Sequence, residues 1–335
     1  MIRKRATLAA LALLAADMAS AQEKVTFGTN WVAQAEHGGY YQAVADGTYA
    51  ACGLDVTILP GGPQINNRAL LLAGKIDFYM GGNLLQAFSA VKQGIPSVVV
   101  AADFQKEPQI IMTHPGAAAS FEEVAALDEM IIGDQGFQTF YQWMMAEYGF
   151  AAEKRSPYTF NAAPFIANPR SAQQGYVTSE PFAVESAAGF KPDIWLLADY
   201  GFSTYSTTIE TMQATIDARP DVVQCFVESS SIGWANFLYG DNSAALAAIK
   251  AANPEMTDAQ LAFSIAALKE YGIVDSGDAE TLGIGAMTDA KIAEFYAKMV
   301  EIGVVEAGLD IAKAYTLDFA NSGVSLAVKQ ALLGR

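Results

Sequence analysis

Hydrophobic positions along the chain form short runs that alternate with amphipathic stretches, and these two periods predict strands and helices in turn. Strands are predicted for 24–29, 54–59, 76–80, 97–101, 109–113 and 130–133, and helices for 40–49, 66–72, 84–93, 121–127 and 139–148. This alternation is typical of a mainly parallel sheet with helices on both faces. The pattern therefore predicts an α/β fold.

The pattern changes after Tyr205, where long helical segments replace the short alternation. Helices are predicted for 220–239, 243–252, 257–271 and 289–302. Pro220 suits the first turn of a helix, since an amide hydrogen is not needed there. No repeat with a period of 20 to 50 residues is visible, which excludes a solenoid.

Two α/β halves account for this organisation, with the chain leaving the first half near 104–108 and returning near 199–205. The long C-terminal helices are expected to pack on the first half. We therefore predict a first lobe formed by 22–106 and 203–335, and a second lobe formed by 107–202.

The first 21 residues have the layout of a secretory signal peptide. A basic start at 3–5 is followed by an apolar stretch at 8–16 and by the small residues 19–21, so cleavage is predicted near Ala21. No cysteine stands directly after the predicted cut, so a lipid anchor on the new N-terminus is not indicated, and no later apolar run is long enough to cross a bilayer. A soluble exported protein without membrane insertion is expected.

The chain is acidic, with 20 Lys and Arg against 36 Asp and Glu, and a formal charge of −16. Loss of residues 1–21 would leave 17 basic and 35 acidic residues, or about −18. Such a surface disfavours nucleic acid and anionic lipid as partners. Cys52 and Cys225, the only two cysteines, lie in apolar helix-like stretches that favour buried thiols, although an oxidising compartment permits a disulfide.

The segment between the strand at 24–29 and the helix from Tyr40 is predicted to face a ligand. It carries an indole, a carboxylate and an imidazole at Trp31, Glu36 and His37, followed by two glycines. Open α/β sheets bind ligands at such strand-to-helix junctions. The alternatives are that Trp31 caps the core and that His37 is hydrogen-bonded within the loop without a further role.

Other strand ends extend this candidate cleft, whose segments are 30–42, 61–67, 80–84, 134–141, 161–165, 178–182 and 199–206. None contains Lys or Arg, whereas aromatic rings and carboxylates recur in them. A flat, neutral or weakly cationic ring suits this chemistry, because aromatic faces stack on it and carboxylates accept hydrogen bonds from amino groups. The predicted ligand contacts are Trp31, Glu36, His37, Gln64, Asn83, Phe137, Glu180, Tyr200 and Tyr205.

Several of these residues have alternative interpretations. Asn83 could cap the following helix, Glu180 could lie in a solvated turn, and Tyr200 and Tyr205 could pack in a hinge. A small anion is also conceivable, because the glycines at 61–62, 81–82 and 136 would let backbone amides approach it. A carboxylate-lined cleft without a basic side chain favours the aromatic ligand over the anion.

Enzymatic chemistry finds little support in the sequence. Glu36 with His37, or Ser179 with Glu180, could be imagined as reactive pairs, but sequence neighbours do not establish a triad. The chain has no Gly-x-Ser-x-Gly, His-Glu-x-x-His or phosphate-binding glycine motif, and only two histidines. We expect no catalytic residues, no metal site and no cofactor.

Four motifs carry a family resemblance: Trp31 with His37, Gly38-Gly39-Tyr40-Tyr41, Leu71-Leu72-Ala73-Gly74-Lys75-Ile76-Asp77-Phe78 and Gln93-Gly94-Ile95-Pro96. They resemble periplasmic substrate-binding proteins of ABC importers, in the family shared by binders of thiamine pyrimidine precursors and of nitrate, sulfonates and taurine. The resemblance implies a periplasmic, monomeric type II clamshell with two lobes, each a mainly parallel sheet flanked by helices, and an importer permease as partner.

In the pyrimidine-precursor branch the first loop resembles Trp-x-Pro-x-x-x-His-x-Gly. Trp31, His37 and Gly39 match this pattern, and Ala33 stands where the pattern has proline. The expected function is therefore capture of a small aromatic or heteroaromatic compound, with a thiamine pyrimidine precursor favoured. The alternatives are an alkanesulfonate, taurine or nitrate binder, and a secreted pyrimidine-synthesis enzyme, although the cysteine-rich motif of the fungal enzymes is absent.

Overall fold

A computed structural model describes residues 22–334, so the predicted signal peptide lies outside the described residues. The strands are β1 (Glu23–Gly28), β2 (Leu54–Leu59), β3 (Phe78–Met80), β4 (Ser97–Phe104), β5 (Gln109–Thr113), β6 (Glu129–Ile132), β7 (Arg155–Pro157), β8 (Ser171–Tyr176), β9 (Asp193–Leu196) and β10 (Ser206–Met212).

The helices before β10 have at most nine residues, and four of those after it are longer. They are α1 (Gly38–Ala45), α2 (Thr48–Ala51), α3 (Asn67–Leu72), α4 (Leu84–Lys92), α5 (Phe121–Val124), α6 (Asp134–Phe137), α7 (Phe140–Tyr148), α8 (Ala163–Ala167), α9 (Glu180–Ala188), α10 (Gln213–Ala218), α11 (Pro220–Tyr239), α12 (Ser243–Ala252), α13 (Asp258–Glu270), α14 (Ala279–Leu282), α15 (Asp289–Glu301) and α16 (Val324–Leu332). Short 3₁₀ turns lie at Ala35–His37, Ala152–Lys154, Leu197–Tyr200 and Ile311–Lys313. No helix between residues 22 and 334 is long and apolar enough to span a membrane.

The strands form two five-stranded sheets with helices on their faces. The first has the order β2-β1-β3-β10-β4 and the second the order β7-β6-β8-β5-β9. In each sheet one strand, β10 or β5, runs opposite to the other four. We call each sheet with its helices the first lobe and the second lobe. The predicted α/β class with two mainly parallel sheets is confirmed.

Two chain connections join the lobes at one edge of each sheet. The chain leaves the first sheet after Phe104, which pairs with Ser206 at the point of return. In the second sheet the chain enters at β5, where Ile110 pairs with Leu196 near the point of exit. The strands at the ends of the two connections are therefore neighbours, β4 beside β10 in the first sheet and β5 beside β9 in the second.

Helix α11 is the centre of the first-lobe core. Its Phe226 ring stacks on Phe78 at 4.2 Å between centroids. A Cβ at Gly39 would lie 2.2 Å from the Trp234 ring, and a Cβ at Gly233 would lie 2.3 Å from the Gly39 carbonyl oxygen. These glycines therefore let α1 and α11 pack at close range, which gives the second glycine after His37 a role in helix packing.

The expectation of free thiols is wrong, because Cys52 and Cys225 form a disulfide with their Cα atoms 5.9 Å apart. Cys52 lies at the end of α2 and Cys225 lies in α11, and the two helices pack against each other. The sequence separation of 173 positions between the two cysteines concealed this proximity. The predicted burial in a helix is correct for Cys225, but burial of a cysteine does not exclude a disulfide.

Candidate ligand-binding cleft

The loops that follow β1 and β8 meet between the two lobes. The hydroxyl of Thr178, just after β8, donates a hydrogen bond to Oε1 of Glu36 in the 3₁₀ turn after β1. The backbone carbonyl of Thr178 in turn accepts a hydrogen bond from the Ser264 hydroxyl on α13 at 2.6 Å. Residues far apart in the chain thus join the two lobes here, at the base of the candidate cleft.

Glu36 is 2% exposed, and its second oxygen, Oε2, has no hydrogen-bond partner within residues 22–334. Burial raises the pKa of Glu36 from its ordinary value of 4.5 to about 7, and the hydrogen bond from Thr178 opposes this rise. The side chain therefore has an unused acceptor and titrates near neutral pH.

His37 is held in one orientation by its own loop. Its Nδ1 accepts a hydrogen bond from the Gln34 amide at 3.2 Å, which assigns the ring proton to Nε2 in the neutral form. Nε2 is buried and has no partner among the described residues. Burial lowers the pKa of His37 to about 4, so the imidazole is a neutral donor at physiological pH.

Asn83 links the first lobe to the outgoing connection. Its side-chain oxygen caps α4 by accepting from the Leu85 amide at 3.1 Å, and its Nδ2 donates to Oε2 of Glu107 at 3.3 Å. Glu107 is 2% exposed, and burial raises its pKa to about 7. The helix cap proposed as an alternative for Asn83 is present, and the same side chain also reaches a buried carboxyl.

Glu180 begins α9 and folds back over β8. It accepts hydrogen bonds from the Tyr176 amide at 2.7 Å, the Ser179 hydroxyl at 2.6 Å and the Tyr158 hydroxyl at 3.3 Å. A Cβ at Gly175 would lie 2.7 Å from the Glu180 side chain, so this strand glycine provides the space. Burial raises the pKa of Glu180.

Tyr176 brings the three carboxyls into one cluster. Burial raises the pKa of Tyr176, and so do the negative charges of Glu107, Glu36 and Glu180. The Tyr176 phenol is therefore within electrostatic range of carboxyls from both lobes and from a connection. We call Glu36, Glu107, Glu180 and Tyr176 the carboxyl cluster. Sequence reasoning missed Glu107 and Tyr176, although Glu107 lies within the predicted crossing and Tyr176 ends the strand before Glu180.

Basic side chains do not neutralise this cluster. Between residues 22 and 334, no Lys or Arg forms a salt bridge with any of its three carboxyls. Arg68, one residue beyond the predicted segment 61–67, contacts the buried Glu210 at 3.2 Å. Lys106, next to Glu107 in the chain, pairs with Asp199 at 2.6 Å.

An aromatic pair also spans the two lobes. Trp31 follows β1, and its ring lies 4.4 Å from that of Phe160, which follows β7. Phe160 is 50% exposed and has a φ of 60°. Phe160 was outside the predicted contacts, and its apolar side chain next to a predicted cleft segment is the signal that could have indicated it.

The remaining predicted contacts are not joined to the carboxyl cluster by any described contact. Tyr200 stacks on Phe121 at 4.5 Å, and Tyr205 is fully buried with its hydroxyl on Asp278, as expected for packing near the connections. Phe137 lies beneath the Arg155 guanidinium at 5.2 Å, and Gln64 is exposed. Within residues 22–334, no group of three or more His, Cys, Asp or Glu could hold a metal ion.

Two α/β lobes joined by adjacent connections have the fold of the periplasmic binding proteins. The sequence model of the family described as "NMT1/THI5 like" matches residues 34–241, so the chain belongs to this family. The chain matches no curated protein in sequence.

Solved structures share the fold at low sequence identity. The alkanesulfonate-binding protein from Xanthomonas axonopodis pv. citri bound to MOPS is 13% identical, with 89% of this chain and 99% of that chain covered and a TM-score of 0.60. The periplasmic nitrate-binding protein from Synechocystis PCC 6803 is 14% identical, with 93% and 89% covered and a TM-score of 0.57. A desulfurization enzyme is 12% identical, with 91% and 100% covered and a TM-score of 0.53.

Proposed function

We propose that this protein is the periplasmic solute-binding component of an ABC importer and captures a small heteroaromatic compound with an amino group. A thiamine pyrimidine precursor is the favoured solute. The observation that carries the proposal is the carboxyl cluster, in which the charges of Glu36, Glu107 and Glu180 all act on Tyr176 and none of the three forms a salt bridge with Lys or Arg between residues 22 and 334.

An amino group is the ligand feature that this cluster favours. Burial makes ionisation of each carboxyl costly, and a ligand N–H donor would compensate that cost directly. The unpartnered Oε2 of Glu36 offers an acceptor for this purpose. Hydrogen bonds to charged groups typically contribute about 1.5–3 kcal/mol.

Neighbouring residues complement the rest of an aminopyrimidine edge. The unpartnered Nε2–H of His37 would donate to a ring nitrogen, which is an acceptor. Asn83 would fix the orientation of the ring, and Trp31 would supply an apolar face. Glu36 or Glu180 would accept from the amino group.

Binding would be coupled to closure of the lobes. The cluster draws Glu36 from the first lobe, Glu180 from the second and Glu107 from a connection. A ligand that contacts all three gains affinity only when the lobes approach, so it shifts the population towards the closed form. The importer permease would then recognise that form.

A sulfonate or nitrate ligand remains the alternative, because similar structures bind such anions. Several of the glycine amides that would admit an anion already donate within the protein, however. The Gly61 amide donates to the Trp31 carbonyl at 2.9 Å, the Gly81 amide to the Thr208 carbonyl at 2.7 Å and the Gly82 amide to the Gln86 side chain at 2.9 Å. The Gln174 side-chain oxygen also accepts from the Gly133 amide at 2.6 Å. Each of these contacts disfavours an anion at those amides.

The test is a thermal-shift screen of protein that has been unfolded and refolded to remove bound solute. A hydroxymethyl-aminopyrimidine should raise the melting temperature selectively, because a ligand at 100 times its Kd stabilises the fold by about 2.7 kcal/mol. Glu36→Gln should abolish the shift, and Glu185→Gln, at an exposed carboxylate, should preserve it. A shift with sulfonate or nitrate alone would overturn the proposal, and turnover of the pyrimidine would favour an enzyme.

A further inference from the structure

We propose that Trp31 and Phe160 form an aromatic gate that closes the mouth of the cleft and encloses the ligand. The proposal rests on the proposed function in that it concerns the same cleft. The two rings belong to different lobes and lie 4.4 Å apart between centroids, with an interplanar angle of 45°. This contact is distinct from the carboxyl cluster at the base.

The position of the gate follows from the strand order. Trp31 comes after β1 and Phe160 after β7, whereas the connections run from β4 to β5 and from β9 to β10. Neighbouring strands lie about 4.8 Å apart, so the gate is roughly 10–15 Å from the connections, two or three strands away. Contacts far from a rotation axis separate most when the lobes open.

The conformation of Phe160 is unusual for its residue type. Its φ of 60° lies in the left-handed region, which is unfavourable for a side chain with a Cβ. Its ring is nevertheless 50% exposed, so burial in the second-lobe core does not explain this conformation. Backbone strain of this kind is typical of functional positions, and here it brings the ring towards the opposite lobe.

Contacts also connect the gate to the ligand-facing carboxyls. The Phe160 ring lies 5.0 Å from the Tyr158 ring, and the Tyr158 hydroxyl donates to Glu180 at 3.3 Å. A ligand that engages Glu180 therefore acts on the residue that supports Phe160. The gate would also select ligands by size, because a long substituent would keep the two rings apart.

The first arm of the test needs no ligand. Trp31→Cys combined with Phe160→Cys is treated with a short bifunctional thiosulfonate, and the control pair is Trp31→Cys with Phe190→Cys. Phe190 is a matched aromatic because it contacts His114 and Phe165 within the second lobe. The gate pair should cross-link at least tenfold faster than the control pair. Equal rates would overturn the gate.

The second arm measures dissociation of a hydroxymethyl-aminopyrimidine by stopped flow. Phe160→Ala should raise koff about five- to tenfold and leave kon within twofold, whereas Phe190→Ala should leave both unchanged. An unchanged koff in Phe160→Ala, with wild-type melting behaviour, would contradict the gate. Absence of pyrimidine binding by the wild type would refute the proposed ligand, while the cross-linking rates would still decide the gate.

Discussion

Replacing Thr178 with valine should weaken ligand binding about ten- to a hundredfold. The change is nearly isosteric, and it removes the hydroxyl that donates to Glu36 across the two lobes. Both oxygens of Glu36 would then lack a partner in the described chain, because Oε2 already has none. Losing a hydrogen bond to a buried charged group costs about 1.5–3 kcal/mol, and each 1.4 kcal/mol corresponds to about a tenfold change in Kd.

The same substitution should change the pH dependence of binding. Burial already raises the pKa of Glu36 to about 7, and the Thr178 hydrogen bond opposes this rise. Without that hydrogen bond the pKa should rise further, so the ionised acceptor forms only at higher pH. The affinity loss in Thr178→Val should therefore be larger at pH 7 than at pH 9.

Isothermal titration calorimetry with a hydroxymethyl-aminopyrimidine at both pH values would measure these effects. Thr178→Ser is the matched control, because it keeps the hydroxyl and the backbone carbonyl that Ser264 contacts. It should bind within about threefold of the wild type. Wild-type affinity in Thr178→Val, with an unchanged melting temperature, would refute the role of this hydrogen bond.

Three further predictions concern stability. Burial raises the pKa of Asp103 from 3.8 to about 7, so the stability contributed by its protonated form should be lost as the pH rises from about 4 to 7. In urea unfolding, the fall in the free energy of unfolding over this pH range should be roughly 4 kcal/mol smaller in Asp103→Asn than in the wild type, and equal falls would contradict the prediction. Replacing Cys52 and Cys225 with serine should lower the free energy of unfolding by about 2–5 kcal/mol in urea, and no change would exclude a stabilising disulfide. Gly39→Ala should destabilise by about 1–3 kcal/mol in thermal unfolding because its Cβ would meet the Trp234 ring, although alanine favours helices; a stabilised variant would refute that contact.

Local pattern was sufficient for much of the fold. The strand at Leu54–Leu59 and the helix at Pro220–Tyr239 have the predicted bounds, because alternation and an N-terminal proline specify them locally. The predicted helix 40–49 is instead interrupted, with α1 ending at Ala45 and Gly47 at a φ of 78°. Glycine readily adopts this left-handed conformation, which ends the helix, and the helical spacing of apolar residues alone did not reveal it.

The candidate site was less accessible to sequence reasoning. Trp31, Glu36, His37, Asn83 and Glu180 were indicated because each lies at the end of a predicted strand. Their partners depend on tertiary contacts that no local pattern encodes. Glu36 and Thr178 are 142 positions apart in sequence, and their contact, like that of Phe160 with Trp31, requires the packing of one lobe against the other.

The paired connections between the lobes constrain how this protein can move. One connection leaves at Phe104 beside Ser206, and on the other side Ile110 lies beside Leu196, so two covalent tethers run next to each other. Two adjacent tethers permit rotation about the line between them and resist twisting or sliding of one lobe over the other. We therefore expect rotation about that line to be the main relative motion of the lobes, which would return Glu36 and Glu180 to the same relative position at each closure.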